Sequence, residues 1–327
     1  MPNPDQARAP ADTPDESRPT IGISSCLLGN EVRFDGGHKH SRYITSTLGE
    51  HLDFESWCPE VAIGLGTPRK PIHLISQHDT IRVVETGRPE HDVTGALHDY
   101  GREASATMGH LAGYIFKKDS PSCGMERVKV RSDGMPSRTG VGAFAEEVMA
   151  AHPTLPTEEE GRLMDAGLRT NFIGRVFTRH RWQQTTAGGL TAAKLVDFHT
   201  RHKFFVLAHN EAVYRQLGQI VAEAGRGDIE ALGTSYFALL MRGLRTLATP
   251  ARHANVLMHI FGFFKDHLEA GDKAELLELI DQHRNRLVPL IVPITLINHY
   301  LRKFETPYIE RQVYLQPHPR ELLLMNS

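Results

Sequence analysis

Three cysteines are the residues of this chain whose type and spacing point most directly to chemistry. They are Cys26, Cys58 and Cys123, and they lie far apart in the sequence. An odd number of widely spaced cysteines is a poor disulfide framework, and it fits a reducing compartment in which thiolates can bind metals. Three thiolates leave one position of a cubane iron-sulfur cluster, or of a tetrahedral metal ion, without a protein ligand. The cysteines therefore predict a metal centre with one open, reactive position.

Two other interpretations of the cysteines stay open at this point. A free cysteine is often only a small buried apolar residue. The other metal candidate is a zinc ion held by the three cysteines and a water molecule. Zinc ligands commonly occur in closely spaced pairs, and the chain has no C-x-x-C motif. The spacing disfavours zinc without excluding it.

The cysteines stand in three short motifs rich in small and turn-forming residues, SSCLLG (24–29), WCPE (57–60) and SPSCG (120–124). Glycine and proline let backbone N–H groups approach the sulfur atoms of a cluster. Glu60 and Ser120 lie close in sequence to Cys58 and Cys123, so both could face the open metal position. A carboxylate there could accept and donate protons.

Both residues have a structural alternative. Glu60 could instead form a salt bridge with Arg33 or Arg69. Ser120 could instead be a turn residue before Pro121.

Two basic loops lie in the same half of the chain, VRFDGGHKH (32–40) and GLGTPRKP (64–71). Arginine and lysine suit a phosphate or a base edge, and aspartate suits a hydrogen bond to a base or ribose. A solvated surface is the alternative interpretation of both loops.

The elements around the cysteines predict how they meet. IGISSCLL (21–28) is typical of a buried strand that leads into a loop, Cys58 falls at a strand end, and Cys123 follows the strand-like GYIFKK (113–118). Apolar strands that alternate with helical segments predict an α/β domain with a mainly parallel, Rossmann-like sheet. Because sites in such sheets form beyond the carboxyl ends of the strands, we expect the cysteines at one edge.

Local patterns give further expectations for the first half of the chain. A short strand TIRVVE (80–85) is followed by a helix-compatible stretch from about 91 to 112. Thr157 is placed to cap a helix that opens with Glu158, Glu159 and Glu160. The small polar stretch QQTTAGGLT (183–191) looks like a connector between domains.

The rest of the chain shows apolar residues at helical spacing, which predicts an all-α bundle followed by an irregular C-terminal strap. The predicted organisation is a mobile tail over 1–18, an α/β catalytic domain over 19–182, the connector over 183–191 and a helical domain over 192–327.

Bulk composition limits the function classes. The chain has 327 residues, of which 40% are hydrophobic, and a net charge of −2. The charge gives no overall signature of nucleic-acid binding, so any RNA contact needs a local basic face. No apolar run approaches the roughly 20 residues that span a bilayer, and the first residues lack a secretory signal. We therefore expect a cytoplasmic protein without a membrane partner.

Together, the motifs SSCLLGNEVRFDGGHK, WCPEVAIGLGTPRKP and KKDSPSCG resemble the thiouracil desulfidase family of bacteria, over roughly residues 19–160. The stretches KLVDFHTRHKFFVLAH, RHANVLMHIFGFFK, VPLIVPITLINHY and YIERQVYLQPHP resemble the YbgA-type helical domain. The fused pair is similar to the ribothiouridine desulfidases, which act on thiolated uridine in tRNA.

The resemblance implies a 4Fe-4S cluster on Cys26, Cys58 and Cys123, with one iron free of protein ligands. Glu60 and Ser120 match the catalytic carboxylate and hydroxyl of the family. The candidate substrate contacts within or beside the matched motifs are Arg33, Asp35, Arg69, Lys118 and Ser122.

The implied reaction is the hydrolytic, non-redox conversion of 4-thiouridine in tRNA to uridine, with release of hydrosulfide. Small 4-thiouracil bases or nucleosides are expected as further substrates. Iron would act as a Lewis acid at the exocyclic sulfur, Glu60 would pass protons and Ser120 would hydrogen-bond the base or water. A stacked base must be exposed or extruded, and the helical domain could recover that cost through phosphate contacts.

Two rival functions remain. In the first, the enzyme acts only on free thiouracil and the helical domain serves dimerisation. In the second, the chain is a non-catalytic iron-sulfur sensor whose helical domain binds a partner protein.

Overall fold

The computed structural model describes residues 17–77, 80–132, 135–322 and 324. Most of the predicted tail over 1–18 lies outside these ranges. In chain order the strands are β1 (Thr20–Ser24), β2 (Asp53–Trp57), β3 (Ile72–Gln77), β4 (Thr80–Glu85), β5 (Arg88–Asp92), β6 (Gly113–Phe116), β7 (Val128–Arg131), β8 (Ser137–Gly140) and β9 (Thr157–Glu159). The helices are α1 (Pro59–Ala62), α2 (Thr94–Ser105), α3 (Ala143–Ala151), α4 (Ala166–Thr186), α5 (Ala192–His209), α6 (Glu211–Ala222), α7 (Ile229–Leu244), α8 (Pro250–Phe261), α9 (Ala270–Arg284), α10 (Ile291–Lys303) and α11 (Pro307–Glu310).

A four-stranded parallel sheet, in the order β2-β1-β6-β9, carries the site. The α/β prediction with a parallel sheet is therefore confirmed for this part of the chain, and the all-α prediction is confirmed for the C-terminal part. The strand predicted over 21–28 is shorter than expected. Ser25–Leu28 forms a 3-10 turn in which the left-handed Gly29 (φ 97°) donates its N–H to the carbonyl of Cys26.

Side chains alternate between the two faces of this sheet. On one face, Ile21, Ile23 and Ile115 pack with Phe172 and Val176 of α4. The opposite face buries a second cluster that includes Tyr114, Phe116 and helix α3. Helices therefore cover both faces, and only the edges and strand ends remain for a site.

The second sheet, in the order β5-β4-β3-β7-β8, is mixed and mainly antiparallel. The single helix-compatible stretch predicted from about 91 to 112 is wrong at its start, because β5 continues to Asp92. The Asp92 carboxylate accepts a hydrogen bond from the N–H of Thr94, 2.9 Å away, and α2 begins there. The polar residues of β5 are all exposed, so no apolar alternation marked that strand in the sequence.

The prediction that a helix begins at Thr157 is also wrong, because residues 157–159 form strand β9 at the edge of the sheet. Glu158 and Glu159 are only 3% and 2% exposed. Glu158 accepts from Arg162 Nε at 2.6 Å, and Glu159 accepts from the N–H of Met125 at 2.9 Å. These carboxylates find donors from other segments and so serve tertiary packing rather than a helix start.

The predicted connector over 183–191 begins inside a helix, since α4 runs to Thr186. Gly188 and Gly189 then adopt positive φ angles of 73° and 95°, and Thr191 caps α5 by accepting from the N–H of Lys194. The division into catalytic and helical domains stays a prediction.

The C-terminal strap returns from the helical part to the α/β part. Arg181 Nη2 on α4 donates to the carbonyl of Pro317, 2.8 Å away. Leu322 and Leu324 then enter the apolar cluster that contains Ile21 and Cys26. Within the described ranges, no helix is long and apolar enough to cross a bilayer.

Glu159 gives a test of buried charge in this fold. Burial raises the pKa of its carboxyl above the ordinary 4.5, against the opposing effect of the Met125 and Glu126 N–H groups. The contribution of this group to stability is therefore full below pH 4.5 and falls as the pH rises through the folded pKa. Glu159→Gln keeps an acceptor oxygen but cannot ionise, so the variant does not lose this stability as the pH rises. Urea unfolding should show its free energy of unfolding rising relative to wild type above pH 4.5, and a difference independent of pH would contradict the burial argument.

Candidate metal centre and active site

A cavity of about 240 Å³ opens at the carboxyl ends of the parallel strands and is lined by all three cysteines. Cys26 follows β1, Cys58 directly follows β2, and Cys123 lies in the loop after β6. Because β1 pairs with both β2 and β6, these three strand ends adjoin.

The cavity also brings together most of the other predicted site residues, namely Arg33, Glu60, Arg69, Lys118, Ser120 and Ser122. Among the lining residues that the structure describes, Asp35 is absent. Its carboxylate is exposed, accepts from the N–H of Gly37 at 3.1 Å and lies 3.4 Å from Arg33 Nε. Asp35 therefore orients the loop and the Arg33 side chain from outside the cavity.

Several further lining residues stand inside the cysteine motifs but were assigned no role from the sequence, including Ser24, Ser25, Trp57 and Lys117. Their signal in the sequence was their place within these motifs. Ser24 Oγ accepts from the N–H of Lys117 at 2.9 Å, which ties the end of β1 to the loop after β6. The Lys117 ammonium in turn pairs with Glu160.

Burial controls the ionisation of the cysteines. It raises the pKa of the Cys26 thiol to about 11, partly offset by the nearby Lys117 ammonium. Burial also raises the pKa of Cys58 and that of Cys123. Thiols in this state stay protonated at neutral pH, and a metal that binds them must displace their protons.

The Cys58 thiol lies at the start of α1. The N–H groups of Val61 and Glu60 lower its pKa against the larger effect of burial, so they point toward the sulfur. Pro59 occupies the first helical position, where its missing N–H costs nothing. This turn can therefore stabilise a thiolate at Cys58.

The Cys123 loop is held by its own hydrogen bonds. Ser120 Oγ accepts from the N–H of Cys123 at 3.1 Å, and the Ser120 carbonyl accepts from the N–H of Gly124 at 2.8 Å. At the start of α3, the N–H groups of Phe144 and Ala145 donate to the Ser122 carbonyl at 3.0 and 3.1 Å. Hydrogen bonds within the protein therefore fix this loop to helix α3.

Glu60 is the centre of a hydrogen-bonded chain across the cavity. Its Oε1 accepts from Ser122 Oγ at 2.7 Å, and Ser122 Oγ lies 3.0 Å from Ser120 Oγ. Its Oε2 accepts from Arg69 Nε at 3.0 Å and Nη2 at 2.6 Å. Glu60 thus forms the salt bridge with Arg69 that the sequence analysis gave as the structural alternative. The same carboxylate also lines the cavity.

The remaining hydrogen-bond donors of Arg69 bind backbone carbonyl groups of the protein. Its Nη1 donates to the carbonyls of Val32 at 3.0 Å and Gly66 at 2.8 Å, and its side chain is 6% exposed. Because these contacts occupy the Arg69 guanidinium, Arg69 is better placed to position Glu60 than to contact the substrate, the role expected from the sequence.

Over the described part of the chain, no group of three or more His, Cys, Asp or Glu side chains is arranged to hold one metal ion.

Fold and site together define an α/β protein with a three-cysteine cavity, joined to a helical region. The family model for 2-thiouracil desulfurase matches residues 21–160, and the model for a protein family of unknown function, DUF1722, matches residues 203–319. The chain belongs to both families, which confirms the resemblance drawn from the sequence.

Curated relatives match each part. The uncharacterized protein YbgA of Escherichia coli K12 is 32% identical over 154 residues, which cover 47% of this chain and 91% of YbgA. The uncharacterized protein YbbK of Bacillus subtilis 168 is 34% identical over 115 residues, covering 32% of this chain and 72% of YbbK. A solved 4Fe-4S-dependent thiouracil desulfidase, TudS, is 28% identical and covers 45% of this chain and 94% of its own, with a TM-score of 0.35.

Gly142 tests how closely the Cys123 loop packs on α3. A Cβ at Gly142 would lie 2.5 Å from the carbonyl carbon of Ser122 and 2.7 Å from the nitrogen of Cys123. Because these are backbone atoms, Gly142→Ala should destabilise the chain by about 1–3 kcal/mol in chemical denaturation.

The matched control is Gly218→Ala in α6, where a Cβ would meet no described atom within 4 Å. It should be neutral or stabilise by about 0.5–1 kcal/mol, since alanine favours helix. Equal effects of the two substitutions would contradict the packing argument.

Proposed function

We propose that this chain is an iron-sulfur-dependent desulfidase that hydrolyses 4-thiouridine in tRNA, and also 4-thiouracil or its nucleosides. The observation that carries the proposal is the convergence of two buried cysteines, a half-buried third and a hydrogen-bonded Glu60 on one cavity. Membership of the 2-thiouracil desulfurase family supports the same reaction class. The proposal includes a cytoplasmic location, where thiols stay reduced.

The residues of the cavity fit a 4Fe-4S cluster. Cys26, Cys58 and Cys123 supply the thiolates that such clusters use. All three line the same open cavity. Arg33 Nε is buried there and forms an ion pair with the Asp35 carboxylate, 3.4 Å away. When bound, the cluster would supply a Lewis-acidic iron for the exocyclic sulfur of the substrate.

The protein's own residues would carry the proton transfers. Water attacks the ring carbon that bears sulfur, and Glu60 takes the proton of that water and returns it to the departing sulfur. Arg69 and Ser122 hold the two carboxylate oxygens of Glu60 in one orientation. Ser120, linked through Ser122, would hydrogen-bond the base or the water. The balance is thiouracil plus water to uracil plus hydrogen sulfide, without net oxidation or reduction.

Substrate binding would begin at the basic mouth of the cavity. Arg33 and Lys118 line it, and Asp35 steadies Arg33 from outside. A base stacked in RNA must be exposed or extruded into the cavity, at a cost of a few kcal/mol. Exposed cations of the helical part could recover this cost through phosphate contacts, among them Arg242, Lys265, Arg302 and Lys303.

The direct test uses anaerobically reconstituted protein and thiolated tRNA, and follows the loss of thiouridine absorbance together with hydrosulfide release. Glu60→Gln should keep the cluster spectrum and lose roughly 100- to 10,000-fold of the turnover, because the proton acceptor is gone. The control Glu55→Gln changes an exposed carboxylate of β2 and should behave as wild type. A wild-type protein with a full cluster and no turnover of any thiolated base would instead indicate the sensor function.

A second test separates tRNA from small substrates. The double variant R302Q/K303Q removes two exposed cations at the end of α10 and should weaken salt-sensitive tRNA turnover, seen as a raised KM. Turnover of free 4-thiouracil should not change, since these residues lie outside the described lining of the cavity. Failure to act on tRNA at any salt concentration, with 4-thiouracil still consumed, would limit the enzyme to free bases.

A further inference from the structure

Phe34 is a large aromatic side chain that lies outside the apolar cores of the protein. It belongs to none of the four apolar clusters that the described residues form, and it is 37% exposed. It does line the cavity that also contains the three cysteines and Glu60. Ligand cavities are commonly lined by aromatic side chains, and this one serves no packing in the cores. Phe34 is therefore a candidate for contact with the substrate.

The backbone that carries the Phe34 ring is fixed by hydrogen bonds. The N–H of Gly36 donates to the carbonyl of Arg33 at 3.0 Å, and Gly36 adopts a φ angle of 76°, which favours glycine. The carbonyl of Phe34 accepts from the N–H of Arg69 at 2.9 Å. Because the Arg69 guanidinium also holds Glu60, the turn and the carboxylate of the site share one anchor.

The Phe34 ring is also held from the side by a cation. The Arg33 guanidinium lies over the ring, 5.2 Å from its centroid, and such a cation–π contact is favourable. Asp35 in turn lies 3.4 Å from Arg33 Nε. Since Arg33 lines the same cavity, an aromatic ring and a cation that hold each other stand together in the site.

We propose that Phe34 stacks on the pyrimidine ring of the thiolated base and so sets the plane in which the base lies in the cavity. The inference rests on the proposed function and adds a substrate contact to it. Every base has a π face on which an aromatic side chain can stack, whatever exocyclic groups the base carries. Phe34 therefore binds the thiolated substrate and the uracil product alike, while Glu60 acts at the carbon that bears sulfur.

The experiment compares two variants of cluster-loaded protein, Phe34→Leu without the ring and Phe34→Tyr with it. The measurements are kcat and KM for 4-thiouracil, and the Kd of uracil from equilibrium dialysis. Phe34→Leu should raise KM and Kd by roughly 5- to 30-fold, since base–aromatic stacking is lost but some apolar contact remains. It should leave kcat within about twofold, because stacking holds the base equally in the ground and transition states. Phe34→Tyr should stay close to wild type.

Phe263→Leu is the matched control. Phe263 is 46% exposed and lies outside the described lining of the cavity, so this variant should keep the wild-type constants for both small bases. The Arg33→Gln background then separates a direct contact from an effect through Arg33. The loss caused by Phe34→Leu should persist there, and its disappearance would show that Phe34 acts only by holding Arg33 and would overturn the inference.

Three further results would overturn the inference. They are unchanged constants in Phe34→Leu, a fall in kcat or cluster content in place of the raised constants, and a raised KM for thiolated tRNA alone, which would place the ring against another part of the RNA. A wild-type chain with a full cluster that neither binds uracil nor turns over any thiolated base would reject the proposed function and this inference together. An active wild-type chain matched by Phe34→Leu rejects only the role of Phe34.

Discussion

The register of three parallel strands is the constraint on which the site depends. Pairing of β1 with β2 and β6 places the loops after these strands at one edge, so cysteines distant in sequence reach one cavity. The same packing keeps the thiols away from water, and their raised pKa values express its cost. A metal that replaces the thiol protons with its own charge would offset that cost. The sheet thus sets the geometry of the site and keeps its thiols protonated until a cation displaces their protons.

Around this edge, the hydrogen bonds of Glu60 join loops that come from different parts of the chain. Arg69 links the carboxylate to the carbonyls of Val32 and Gly66, and Ser122 links it to the Cys123 loop. The carboxylate is therefore a structural junction as well as the proposed proton carrier. A group that is fixed on both oxygens keeps one orientation during a reaction and loses little entropy there. Placing the two roles in one residue explains why the cavity contains a salt bridge beside its cysteines.

The sequence predicted the parallel sheet and the meeting of the cysteines because both follow from local signals, which are apolar runs and cysteines just after them. It failed where long-range partners decide the outcome. Thr157 and the glutamates after it have the pattern of a helix start, yet β6 and Arg162 make them a buried edge strand. The strands of the second sheet were missed in part because β5 is polar and exposed throughout.

The central claim is that the three cysteines hold one cluster with one iron open to the thiolated base. Mössbauer spectroscopy of anaerobic protein enriched in the appropriate iron isotope tests it directly, with and without 4-thiouracil. The account predicts that one iron in four differs from the other three, and that only its signal changes when 4-thiouracil is added. Four equivalent irons that ignore the substrate, or a single mononuclear iron, would contradict it.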